Sequence, residues 1–416
     1  MRYGMFALLA ATACGQLADD AELRRIDNGD GTWSYTLAPD FDPDLPVSDG
    51  LMTWRYAGQM KYPFNPQPIR EPLEYVHGAR PNLSPVEQLL ATQKEDSEGR
   101  LWEALSIDED RLVLPDDEDD PSEEGAGFEG LRSYSVDEEV YGFSPEGEKP
   151  DPQVGEVVRW SPTSWDIRDC NNDNIDDWFV WGSDGRRIES PPSGRREEAV
   201  VSINSTAGGC TGTLLRSRWV LTAAHCTYTQ GGTSVSARRR GGGSNYTVRN
   251  YAGETVGIDA MWRAPGYAFG SNGSDPNDDY VLFRLNASFP SFSRDMDISN
   301  ASNSRINSVD PKFHNLGYPG RLNRCNSLNT NMVSGSNINI TGKNSRNLRW
   351  KGDGSGGHSG GPIFYCPGGP EVDICYWNTD GFVVAVVAGY SNYYDRLIGP
   401  RGKYFRTWAI NLMNAN

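Results

Sequence analysis

Beyond Pro192 the apolar residues of this chain fall into short runs rich in Val, Ile, Leu and Thr, separated by Gly, Asn, Ser and Asp. The runs at residues 200–203, 212–215, 219–222, 280–285, 337–340 and 381–388 read as strands. Many short strands with turn signals between them predict an all-β barrel or sandwich. Residues 407–413 have helical spacing instead and predict a short terminal helix. The upstream part is weakly patterned. Residues 32–37 alternate polar with apolar behind the turn cluster Asn28-Gly29-Asp30-Gly31, which predicts a small hairpin. Ser84, Pro85 and Glu87 supply a cap, a first-turn proline and a capping-box partner. With Val86, Leu89 and Leu90 as an apolar face, they predict a helix ending near Gly99.

Charge divides the chain more sharply than hydrophobicity does. The whole sequence has 39 Lys+Arg against 56 Asp+Glu, a net charge of -17. Residues 15–151 hold 33 acidic and 11 basic residues, while residues 152–416 hold 23 and 27. The shift marks a boundary between segments with different jobs. It gives an export signal at 1–14, an acidic pro- or accessory segment at 15–151, a linker at 152–183 and the strand-rich domain at 184–416. Carboxylates dominate 108–148, including Asp116-Asp117-Glu118-Asp119-Asp120; such a run is solvated, extended and partly disordered. It is also the expected intramolecular partner of the less acidic domain. No nucleic acid partner and no cofactor are expected.

Arg2 followed by the apolar run 5–10 has the form of an export signal, too short for a permanent transmembrane helix. Ala11-Thr12-Ala13-Cys14-Gly15 then allows two cuts, an A-x-A site or a lipobox that lipidates Cys14. Seven cysteines leave one odd. Setting Cys14 aside leaves Cys170, Cys210, Cys226, Cys325, Cys366 and Cys375, an even set suited to disulfides in an oxidising compartment. The chain is therefore expected outside the cytoplasm, either secreted or held by a lipid at an outer membrane or cell surface.

Two stretches carry candidate chemistry. Asp169 to Asp177 alternates oxygen ligands as calcium loops do, but the sixth and twelfth positions are Asn174 and Val180 rather than Gly and Glu. A polar turn without metal is the expectation. Gly356-Gly357-His358-Ser359-Gly360-Gly361-Pro362 sets a serine among glycines, where the amides of Gly357 and Ser359 can turn toward a carbonyl oxygen. Such a loop is a nucleophile only if a base activates it.

That base is supplied by Cys210-Thr211-Gly212-Thr213 and Thr222-Ala223-Ala224-His225-Cys226, which resemble the chymotrypsin-like serine proteases. The resemblance implies two six-stranded Greek-key β-barrels, a short C-terminal helix and a disulfide between Cys210 and Cys226. It also implies a triad in the order His225, Asp279, Ser359. Asp279 leads directly into the apolar run 280–285; Asp275 and Asp278 are competitors. The implied activity is peptide hydrolysis through an acyl-enzyme, with protein or peptide substrates and an oxyanion hole at Gly357 and Ser359. Gly317-Tyr318-Pro319-Gly320 and Asp184-Gly185-Arg186-Arg187-Ile188 are similar to strings of the bacterial V8-like, glutamyl endopeptidase branch. The alternative from another class is a catalytically silent binding protein on the same scaffold.

The resemblance also has departures. His358 stands where trypsin-like enzymes have an aspartate that receives a newly cut N-terminus, so that mode of activation does not carry over. The substrate pocket is expected at Asp353, Ala388 and Tyr390; residues 384–390 contain no histidine, so glutamate preference is not implied. The remaining disulfides are expected as Cys366 with Cys375 and Cys170 with Cys325. Arg186-Arg187 and Arg195-Arg196 are candidate maturation sites.

Overall fold

The computed structural model describes residues 42–59, 83–114, 195–206, 208–228, 243–264, 277–291, 294–309, 313–322, 332–366, 381–391 and 396–416. It also describes shorter segments at 23–27, 33–37, 140–142, 165–168, 178–181, 186–189, 234–238 and 326–327. Cys14, Cys170, Cys325, Cys375, Asp275 and the candidate calcium stretch lie outside them.

Two barrels form the body of the protein. In the first, Val200–Ser205, Gly208–Arg216, Trp219–Thr222, Val281–Leu285 and Ile258–Arg263 pair in that order. Thr255–Val256 runs almost directly into Ile258–Arg263 and pairs with Thr247–Arg249, which pairs back on Val200–Ser205, so the sheet closes. In the second, Phe382–Val386, Pro362–Tyr365, Phe313–Gly317, Met332–Lys343, Asn347–Lys351 and Arg396–Pro400 pair in order. Gly389–Ser391 continues Phe382–Val386 and pairs with Arg396–Pro400 to close it.

Period-2 alternation explains the interiors. Val201, Ile203, Leu214, Val220, Val281, Phe283 and Leu285 fill the first barrel, while their neighbours Val200, Leu215, Leu221 and Leu282 face outward into a separate core cluster. Successive strand side chains point to opposite faces, so each strand feeds two cores. A third cluster, with Phe313, Ile338, Leu348, Trp350, Ile363 and Val384, fills the second barrel.

The acidic part joins this body. Gln93–Glu95 pairs with the far edge of Ile258–Arg263, followed outward by Arg100–Ile107, Met52–Gln59 and Val47–Ser48. Trp54 and Trp102 of these strands, with Leu89 of the helix Pro85–Leu90, enter the outer cluster with Trp219 and Trp262. The charge shift near residue 151 therefore marks no gap in the sheet. Leu23–Asp27 and Trp33–Leu37 form the expected hairpin.

The predicted helix at Ser84 is present with its full capping box but spans only Pro85–Leu90. Leu89 is buried as expected, but Gln88 is buried beside it and Leu90 is 39% exposed, so the inward face is only partly the one apolar spacing suggested. Beyond it, Gln93–Glu95 is taken into the sheet, and Gly99 sits at φ 76 in the following turn. A strand edge offering ladder hydrogen bonds overrides weak helical periodicity here.

The terminal helix is longer than its apolar spacing indicated, Gly402–Ala415. Phe405 stacks on Tyr280 at 4.9 Å and Trp408 meets it edge-on at 5.0 Å, which backs the segment that carries Asp279.

Candidate active site

His225 lies in the turn Ala224–Thr227, immediately after strand Trp219–Thr222. Ala223 and Ala224 are fully buried, and only small side chains let the imidazole lie this close to the strand end. The Cys210–Cys226 disulfide ties that turn to strand Gly208–Arg216, with a Cα separation of 6.3 Å. With both sulfurs in the disulfide, the grouping of Cys210, His225 and Cys226 offers no thiolate to a metal.

Asp279 is 1% exposed and uses both carboxylate oxygens on His225. One accepts the His225 backbone amide at 2.8 Å and the other lies 2.7 Å from Nδ1. This geometry fixes the ring and its tautomer, leaving Nε2 as the basic nitrogen. The neighbouring competitor is accounted for: Asp278 accepts from Arg346 at 2.8 Å. Asp279 is the central residue of a tight turn in which the Tyr280 amide donates to the Asp278 carbonyl at 2.9 Å, just before strand Val281–Leu285.

Ser359 is 2% exposed. Its carbonyl accepts the Thr211 amide at 2.8 Å, and the Cys226 sulfur lies 3.9 Å from the same oxygen. A Cβ on Gly360 would fall 2.0 Å from the Thr222 hydroxyl and 2.9 Å from the Ala223 nitrogen. The Ser359 loop is therefore pressed against the end of the strand that precedes His225.

The loop's own hydrogen bonds commit three of its amides. His358, Gly360 and Gly361 donate their amides to Ser355, Val387 and His358 carbonyls respectively. Among the described residues, no hydrogen bond takes the amides of Gly357 and Ser359. Gly357 has φ +96, and a Cβ there would lie 2.6 Å from the Tyr318 carbonyl, so only glycine fits. Thr211, which sequence reasoning passed over, links the parts. Its hydroxyl donates to the Gly357 carbonyl at 2.7 Å and accepts the Tyr318 amide at 2.9 Å. Its place beside Cys210 was the one available signal.

His358 is 1% exposed, with its ring against Gly317 and, among the described residues, no hydrogen-bond partner for either nitrogen. Burial pushes its pKa well below the usual histidine value, and the nearby Arg186 charge adds to this. Of the expected pocket residues, Ala388 and Tyr390 are buried, and half-buried Asp353 immediately precedes the short strand Gly354–Ser355. Cys366 is disulfide-bonded; its expected partner is outside the described residues.

Residues 188–389 match the family model described as Trypsin. This part of the chain is a chymotrypsin-like serine protease domain. No curated protein matches the sequence. Among solved structures, the fold is similar to a Glu endopeptidase in complex with MPD, at 18% identity and TM-score 0.45, covering 57% of this chain and 100% of that one. It is also similar to the Vibrio cholerae VesB protease, at 15% identity and TM-score 0.38, covering 55% and 67%.

Proposed function

We propose that this protein is an exported serine endopeptidase of the V8-like branch, made as a zymogen, with Ser359, His225 and Asp279 as its triad. The carrying observation is the two-point grip of Asp279 on His225 beside a serine loop whose two amides are uncommitted. In this reading His225 Nε2 takes the Ser359 proton as Oγ attacks the peptide carbonyl. The Gly357 and Ser359 amides hold the oxyanion, and His225 returns the proton to the leaving amine. Water, activated by the same base, then releases the acyl group.

The zymogen reading draws support from Val140–Gly142 of the acidic part, which pairs antiparallel with Gly389–Ser391. That strand follows Val387, whose carbonyl accepts the Gly360 amide at 2.8 Å. It is the strand beside the nucleophile loop to which an extended peptide would add. Of the two Arg pairs considered for maturation, Arg186-Arg187 is a poor candidate: Arg186 is 7% exposed and Arg187 starts a paired strand. Export and lipidation of Cys14 rest on the leader pattern, and the branch on the Gly317-Tyr318-Pro319-Gly320 string.

The test is labelling by an alkyl fluorophosphonate, before and after removal of the acidic part. Ser359 should be the labelled residue and Ser359→Ala should be silent. Identical behaviour of the two proteins would remove the proposal.

A further inference from the structure

Six glycines lie within residues 352–361, and Gly357 and Gly360 have left-handed backbone. Chain of this composition is conformationally free, so something must hold two amides aimed at one point. His358 cannot serve as an ionic anchor, because it is enclosed, without a hydrogen-bond partner among the described residues and disfavoured in its charged form.

Arg186 reaches the loop from outside. Its Nη1 donates to the Ser355 hydroxyl at 2.9 Å, and both residues are buried. Ser355 in turn accepts the His358 amide at 3.0 Å through its carbonyl, one residue from each oxyanion donor. The backbone is held as well: Gly354–Ser355 pairs with Trp178–Trp181, in the register Gly354 to Phe179 and Ser355 to Trp178. Ser355 is thus gripped at its side chain by Arg186 and along its backbone by the strand just upstream.

We infer that Arg186 is a positioning residue: through Ser355, and with the strand Trp178–Trp181, it sets the Gly357 and Ser359 amides for catalysis without a newly cut N-terminus. The inference rests on Ser359 being the nucleophile. Its consequence is that the anion site is complete in the uncut chain, and that any maturation cut must leave residues 178–186 attached. Silence before maturation then comes from the occupied Gly389–Ser391 edge, not from an unformed loop.

The full-length protein tests this with a small alkyl fluorophosphonate, which needs Ser359 and the two amides but not the Gly389–Ser391 edge. The wild type should label at Ser359 before any processing. Arg186→Ala and Ser355→Ala should each slow labelling roughly 10- to 100-fold, less than the roughly 100- to 1,000-fold for losing an oxyanion donor outright, because both donors stay in place but are less well aimed. Arg186→Lys, which keeps the charge and a donor, should recover part of the rate. With a peptide substrate after processing, kcat should fall while KM stays within about threefold, as for an interaction made in the transition state. Should Arg186→Ala fail to fold, Ser355→Ala, which removes one hydroxyl, carries the test. Wild-type labelling rates in both folded variants would overturn the inference. So would a wild type that labels only once cut and then at the same rate as the variants. A wild type that never labels overturns the nucleophile assignment, and this inference with it.

Discussion

Replacing Asp279 with asparagine changes one atom and, on this geometry, should disable the base. The His225 backbone amide, 2.8 Å from one carboxylate oxygen, can only donate, so it holds the single carbonyl oxygen of an asparagine. The NH2 group is then turned toward Nδ1, 2.7 Å from the other position. The ring must accept there and carry its proton on Nε2, with no lone pair left for the Ser359 proton. The flipped amide would face a donor with a donor in a site 1% exposed. An unmet buried donor costs about 1–3 kcal/mol, which biases the ring toward the useless tautomer roughly 5- to 150-fold. Adding the lost charge that steadies the imidazolium, kcat should fall by about 10²- to 10⁴-fold, or roughly 3–5.5 kcal/mol. Steady-state turnover of a peptide ester, normalised by fluorophosphonate titration, reads this directly. Asp278→Asn is the control: it faces Arg346, so kcat should stay within about tenfold of wild type while stability falls by about 1–3 kcal/mol. A folded Asp279→Asn enzyme within tenfold of wild-type kcat would refute the assignment of Asp279 to the ring.

Three further outcomes follow from the packing. Gly360→Ala combines a left-handed backbone with a Cβ 2.0 Å from the Thr222 hydroxyl and 2.2 Å from the Thr211 carbonyl. Strain and overpacking together should cost about 2–5 kcal/mol and abolish fluorophosphonate labelling; a stable, labelled variant would count against the loop geometry. Glu95 is fully buried and accepts from Ser236 at 2.6 Å, Ala237 at 2.7 Å and Arg263 at 3.2 Å. Glu95→Ala leaves a buried arginine without this partner and should lower stability by about 3–5 kcal/mol in urea unfolding, whereas a change below 1 kcal/mol would detach the acidic strands from the barrel's stability. His358 has a folded pKa well below its unfolded value of about 6.5, so below that pH the unfolded chain binds one more proton. Stability should therefore drop by up to about 1.4 kcal/mol per pH unit under pH 6.5, and His358→Asn should flatten that limb in thermal melts at pH 7 and pH 5. Equal acid sensitivity in the two proteins would show that His358 does not titrate as described.

The sequence by itself determined the features that are local in the chain. Strand positions followed from short apolar runs between turn residues, the start of the Ser84 helix from its capping box, and the candidacy of His225 and Ser359 from the residues beside them. Each of these depends on residues within a few positions of one another, so its physics is visible in one dimension. Tertiary structure decided whatever depended on which edge or buried face a residue met. Adjacency to the apolar run favours Asp279 over Asp278 in the sequence, but the partner each carboxylate meets, His225 for one and Arg346 for the other, is set only by the tertiary structure. Every strand edge offers the same amides and carbonyls, so nothing in Gln93–Glu95 or Val140–Gly142 announces that one extends the first barrel and the other lies along Gly389–Ser391. Arg186 read as half of an exposed Arg pair until packing buried it against Ser355, 169 positions away. Long-range burial assigns such a residue its role because the free energy of a buried charge depends on its partners, and partners this distant in sequence leave no local pattern.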